Sequence, residues 1–127
     1  MFTKTKAFSS FSVDDLEKAR SFYGKTLGLK VSKVPEGLVL NIAGGTKVFL
    51  YLSTDYAPPD HTVLNFPVTD IDAAIAALAK KRVKMEHYDL PGMKTDSKGV
   101  FRGKTGPKAI AWFKDPAGHI LSILQQR

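Results

Sequence analysis

Five residues recur at a fixed interval along this chain: Phe11, Val13, Asp15, Leu16 and Ala19 return as Phe66, Val68, Asp70, Ile71 and Ala74, each 55 positions later (66 − 11). A repeat of that length spans a whole supersecondary unit, so the sequence describes two copies of one module. Within each copy an extended apolar run ends at an aspartate suited to capping a helix, and helical spacing follows. Ile71, Ala74, Ile75, Leu78 and Ala79 meet the i, i+3, i+4, i+7, i+8 template and predict a helix opening at Asp70. In the first copy Leu16, Ala19, Tyr23 and Leu27 fall near one stripe, with Asp14 or Asp15 as N-cap. Glu17 is placed to close a capping box with Asp14, and Gly28 to stop the helix.

Extended runs are predicted at 7–13, 30–34, 38–42 and 47–53, separated by the turn signals Pro35-Glu36-Gly37 and Gly44-Gly45. Beyond Pro58-Pro59 come strands at 63–68 and 83–88. The chain closes on a hairpin over 111–124, turning at Asp115-Pro116-Ala117-Gly118. Each copy is thus strand, helix, then three strands. The expected fold is α+β: two tandem βαβββ modules forming a curved mixed sheet around a cavity, with the helices on the convex side. We expect a single domain over 1–127, with modules at 1–56 and 63–127 and a linker at 57–62.

The 127 residues, 43% of them apolar, suffice for one hydrophobic core. With no cysteine, disulfides, thiolate metal sites and a cysteine nucleophile are excluded. The opening residues MFTKTKAFSS lack the apolar stretch of a signal peptide, and no run is long enough to span a membrane, so a cytoplasmic protein without a membrane partner is expected. The net charge of +7 is spread along the chain without a nucleic-acid motif, and we expect no nucleic-acid partner. Its densest stretch, 92–108, carries Lys94, Lys98, Arg102, Lys104 and Lys108 among four glycines and reads as a mobile basic loop.

Three segments, FSVDDLEKARSFYGKTLGL (11–29), FPVTDIDAAIAAL (66–78) and FKDPAGHILSI (113–123), resemble the signatures of the vicinal oxygen chelate superfamily. This is the family of glyoxalase I, extradiol dioxygenases and bleomycin-resistance proteins, and the resemblance covers nearly the whole chain. It implies the paired-module fold, a homodimer, and in the family's enzymes a divalent metal held by His, Glu or Gln from the first and last strands of each module. Carried over one at a time, the first-strand position falls on Phe8 and its counterpart on Val63. The closing-strand position falls on Ser122, and the fourth on Leu50 or Tyr51. Phenylalanine, valine and leucine offer no lone pairs, so no metal and no cofactor is expected. His61, His87 and His119 each read as surface or turn residues, and no Ser-His-Asp triad is supported.

Strand alternation then defines a cavity lining. It assigns Phe8, Ser10 and Ser12, Val48, Leu50 and Leu52, Val63 and Asn65, and Ser122 and Leu124 to the concave face. Trp112 is a further candidate. The candidate binding residues are Phe8, Ser10, Leu50, Asn65, Trp112 and Ser122, with Arg102 reaching from the basic loop as part of a lid. A mostly apolar surface with a few polar points suits a small organic molecule, and the lysines with Arg102 favour an anionic or polar-aromatic one. The competing readings are that Phe8 and its neighbours merely fill a core, that the protein is a lyase, isomerase or dioxygenase of the same superfamily, and that the basic surface is an interaction module.

Overall fold

The computed structural model describes residues 1–127, whose contacts cluster into two compact units, Met1–Ala57 and Pro58–Arg127. In the first unit β1 (Ser9–Val13) leads into α1 (Leu16–Ser21), and β2 (Lys30–Val34), β3 (Gly37–Asn41) and β4 (Lys47–Leu52) follow. The sheet order is β1-β4-β3-β2, with β1 parallel to β4 and the other pairs antiparallel.

Asp15 caps α1: its backbone is extended and its carboxylate accepts the Lys18 N–H at 3.0 Å. The expected capping box therefore does not form, because the cap is Asp15 rather than Asp14. Glu17 instead lies 3.8 Å from Lys33 in an exposed ion pair, an arrangement worth little in water. The helix runs on through one π-helical turn, Phe22–Thr26, with the Leu27 N–H donating to the Phe22 carbonyl at 2.9 Å. Gly28, at φ 75°, supplies the left-handed residue that ends it. Tyr23 is fully buried beneath this turn, with the Phe22 ring edge-on to it at 5.2 Å.

The helix packs on β3 and β4, and their alternation decides which side chains it covers. Phe11 stands opposite Leu50, and Leu50 opposite Leu38; all three are buried, as are Val13, Leu40 and Val48. Val48 and Leu50 therefore face the helix and not the concave side expected for them. Leu52 shares their parity, being opposite Val13, although it is exposed at the strand end. The reason for the reversal is the run Lys-Val-Phe-Leu-Tyr-Leu, in which apolar residues fall on both faces and mask the period of two. Gly37 permits the tight entry to β3, since a Cβ there would lie 2.0 Å from the Leu50 carbonyl oxygen.

The second unit repeats the plan. β5 (Thr62–Pro67) leads into α2 (Ile71–Lys80), and β8 (Val100–Phe101), β9 (Ala109–Lys114) and β10 (Ile120–Gln125) complete a sheet ordered β5-β10-β9-β8. A separate ribbon pairs β6 (Asp89–Leu90) with β7 (Met93–Lys94). The first and last sheet strands are again parallel. Asp70 caps α2 by accepting the Ala73 N–H at 3.1 Å, and the Gln125 side chain accepts the Ile71 N–H at 3.0 Å. Ile71 and Leu78 turn inward, while Leu121, Ile123, Ala111, Phe113 and Val100 form the buried side of the sheet. The α+β architecture of two tandem modules is the one predicted from the repeat.

Three local expectations need correction. Residues 83–88 form no strand; the Glu86 N–H donates to the Trp112 carbonyl at 2.8 Å, and regular pairing begins only at Asp89. Much of the basic segment 92–108 is built into the unit: β8 pairs with β9, Val100 is buried, and the Thr95 hydroxyl holds the backbone of Tyr88. Asp96 organises this stretch by accepting the N–H groups of Val100 (2.9 Å) and Lys98 (2.8 Å). The Val100 hydrogen bond is the main cause holding its carboxyl below the usual range, assisted by the Lys98 N–H and the charges of Arg102 and Lys98. His119, finally, is 1% exposed. The Asp115 carboxylate accepts the Ala117 and His119 N–H groups to fix the turn, and alternation along β10 then places His119 on the buried side with Leu121 and Ile123.

Candidate functional site

The face of the first sheet turned away from α1 carries Ser10, Ser12, Val39, Asn41, Phe49 and Tyr51, as the strand register requires. A cleft of about 430 Å³ opens there, lined by Phe8, Val34, Glu36, Val39, Lys47 and Phe49. Its lining is apolar apart from the two charged residues at its ends. The rings of Phe49 and Tyr51 stack at 5.9 Å and 20°. Phe8 is 67% exposed, which decides against its being ordinary core. A second depression, also about 430 Å³, is lined by Lys6, Ala7, Phe8, Gly44, Gly45, Thr46 and Lys47, so Phe8 and Lys47 border both.

Lys47 is positioned and not merely exposed. Its ammonium donates to Asn41 Oδ1 at 3.2 Å, and the Asn41 amide in turn donates to the Lys30 carbonyl at 3.1 Å and to Ser32 Oγ at 3.0 Å. The loop before it turns through Gly44 and Gly45 at φ 85° and 82°, values that favour glycine.

Of the residues singled out from the sequence, Phe8 lines the cleft and Ser10 sits opposite Phe49 beside it. Leu50 is excluded, being fully buried under the helix. Asn65, Ser122 and Trp112 come together in the second unit, side by side across three strands. There the fully buried Ser122 hydroxyl donates to Asn65 Oδ1 at 2.5 Å, and Trp112 Nε1 donates to Thr62 Oγ1 at 3.2 Å. The Tyr88 ring meets Trp112 edge-on at 5.5 Å, and burial, then the Glu86 charge, push its phenol above the usual range. Arg102 is exposed and lines neither depression; its charge acts on Asp96. The sequence reading missed Phe49, Val34, Val39, Glu36 and Lys47. The signal for them lay in Phe11 and Val13: a parallel partner that buries Leu50 beside Phe11 must turn Phe49 to the other face.

The register also settles which residues are equivalent in the two halves. Ser10 pairs with Phe49, and Asn65, 55 positions after Ser10 (65 − 10), pairs with Ser122. The counterpart of Ser122 is therefore Phe49, and neither Leu50 nor Tyr51. The four positions at which the family resemblance puts metal ligands are then Phe8, Phe49, Val63 and Ser122. Three have no lone pair to give, and the Ser122 hydroxyl is engaged with Asn65. No three side chains among histidine, aspartate and glutamate converge in a way that could hold a metal ion. These residues do not fit the family's divalent metal.

No helix is long and apolar enough to cross a membrane. A search of curated proteins finds no match to this chain. Among solved structures, the chain is similar to a glyoxalase family protein from Enterococcus faecalis (20% identity, 98% of this chain and 99% of that chain, TM-score 0.67). It is also similar to an antibiotic binding protein from a Streptomyces species (23%, 98% and 99%, TM-score 0.62) and to a lactoylglutathione lyase from Agrobacterium tumefaciens (17%, 96% and 93%, TM-score 0.67). At these identities the likeness is one of fold. The model of the Glyoxalase/Bleomycin resistance protein/Dioxygenase superfamily matches residues 8–123. With that match spanning nearly its whole length, the chain belongs to the glyoxalase/bleomycin resistance protein/dioxygenase superfamily.

Proposed function

We propose that this protein binds a small organic molecule in the cleft on the open face of its first sheet, and that binding rather than metal-assisted catalysis is its task. The observation that carries this reading is a phenylalanine pair left open to solvent in part: Phe8, 67% exposed, beside the half-buried Phe49 in an apolar cleft of about 430 Å³. Leaving such surface in water forfeits roughly 25 cal/mol per Å², a cost that a ligand covering the cleft would recover. The volume lies within the range of about 300–1,000 Å³ occupied by small-molecule sites. That one structure of the same fold is described as an antibiotic binding protein supports the reading.

The test is amide chemical-shift mapping with a panel of aromatic compounds of graded size and charge. Binding should move the resonances of Phe8, Val34, Val39, Lys47 and Phe49 together, and a Phe49→Ser variant should lose the response. Shifts confined to the second unit, around Asn65, Trp112 and Ser122, would sink the proposal. So would a panel that leaves the first-unit resonances unmoved while stoichiometric metal copurifies with the chain.

A further inference from the structure

The two ends of the cleft are oppositely charged. At one end lie Lys47 and, across Phe8 in the adjoining depression, Lys6. Strand register places Lys30 opposite Asn41, the residue that orients Lys47, so a third lysine belongs to the same end. At the other end lies Glu36, in the turn before β3. The length of β3 separates the two: four steps along its five residues, at about 3.3 Å each, amount to about 13 Å. Between them the lining is Phe8, Val34, Val39 and Phe49. Past Lys47 the depression is floored by Gly44 and Gly45, where even a Cβ would meet nothing within 4 Å, so the backbone is bare beside the lysines.

We infer that the ligand is an aromatic anion, its ring body lying against Phe8 and Phe49 and its acidic group at Lys47 and Lys6. This rests on the reading that the cleft is the binding site, and adds the chemical class and orientation of what it takes. Glu36 enforces the orientation, because a carboxylate, sulfonate or phosphate at that end would meet a like charge. The apolar stretch of about 13 Å suits a body of two to three fused or linked rings. The lysine that matters is the one held by Asn41, since a positioned ammonium loses less freedom on binding than a free one. The general positive charge of the chain attracts anions everywhere, and this end of the cleft adds an aromatic wall to its lysines.

The experiment compares two fluorescent probes of nearly the same ring body: anilinonaphthalene sulfonate, an anion, and phenylnaphthylamine, which is uncharged. Each is titrated into the wild type, a Lys6→Ala/Lys47→Ala variant, a Phe49→Ala variant and a Lys104→Ala variant that removes an equal kind of charge from the second unit. The expected result is tighter binding of the sulfonate by about tenfold, with each lysine worth about fivefold or less. The double lysine variant should bring the two probes together, Lys104→Ala should change neither, and Phe49→Ala should weaken both. Equal affinities in the wild type, or a Lys104→Ala loss as large as the double variant's, overturn the aromatic-anion inference. If Phe49→Ala still weakens both probes in that case, the cleft itself stands. Should Phe49→Ala leave both affinities unchanged, the cleft is not the site and both readings fall.

Discussion

Phe49 and Leu50 are neighbours in sequence with opposite tasks, and truncating each in turn separates stability from binding. Leu50 has no exposed surface and lies between Phe11 and Leu38 in the sheet register. Leu50→Ala removes its buried methyl groups and leaves a cavity that flanking strands cannot close, at a cost of about 3 kcal/mol within the usual range of roughly 2–5. For 127 residues the unfolding entropy is on the order of 0.27 kcal/mol/K, from about 2.1 cal/mol/K per residue, so Tm should fall by about 11 °C. Phe49 is only half-buried, and full burial of a phenylalanine is worth roughly 1.5–3 kcal/mol, so Phe49→Ala should cost about 1 kcal/mol, or about 4 °C. Binding should respond the other way: probe affinity falls about tenfold in Phe49→Ala and is unchanged in Leu50→Ala at a temperature where both are folded. Thermal melts followed by circular dichroism, with urea titrations to check the slope, give the first quantity, and fluorescence titration the second. A Phe49→Ala variant as destabilised as Leu50→Ala, or a Leu50→Ala variant within 1 °C of wild type, would refute the assigned faces of β4.

Asp70→Ala removes the carboxylate that accepts the Ala73 N–H at 3.1 Å and should destabilise the chain by about 1 kcal/mol in urea unfolding. Gly37→Ala should be far more damaging, lowering Tm by more than the Asp70 variant, because its Cβ would stand 2.0 Å from the Leu50 carbonyl oxygen and pry β3 from β4. Tyr88 predicts an alkaline limb. Its phenol titrates above the ordinary value of 10.0 in the folded chain, so its contribution is complete below pH 10 and is lost as pH rises through the folded value. A denaturation series across pH 9 to 12 should show that decline, and Tyr88→Phe should flatten the part that belongs to this residue.

The repeat at 55 positions made the modules legible, because paired aspartate caps and matching apolar spacing are local signals that tertiary packing did not override. The helix from Ile71 was readable for the same reason, and the β2 strand at Lys30–Val34 from the turn residues Pro35-Glu36-Gly37 that follow it. The face of β4 was not, since Val48, Phe49, Leu50, Tyr51 and Leu52 are all apolar and only pairing with β1 fixes which of them the helix covers. Phe8 was legible as a cavity residue, but its companion Phe49 was hidden by that same ambiguity. His119 looked like a turn residue because it follows Gly118; its burial depends on alternation carried back from Leu121, beyond the reach of the turn signal. In the basic segment, short strands between glycines gave too little period to reveal that Val100 is core.

The equivalence of Phe49 and Ser122 has a consequence for how such a scaffold can change its task. A phenylalanine at such a position offers a ring face and no lone pair. As long as Phe8 and Phe49 stand there, these strand positions serve an apolar wall and not chelation. Placing a metal on this chain would mean replacing Phe8 and Phe49 with donors such as histidine or glutamate, which changes the wall of the cleft. Single substitutions toward metal chemistry should thus each alter the wall of the cleft while leaving too few donors to hold an ion.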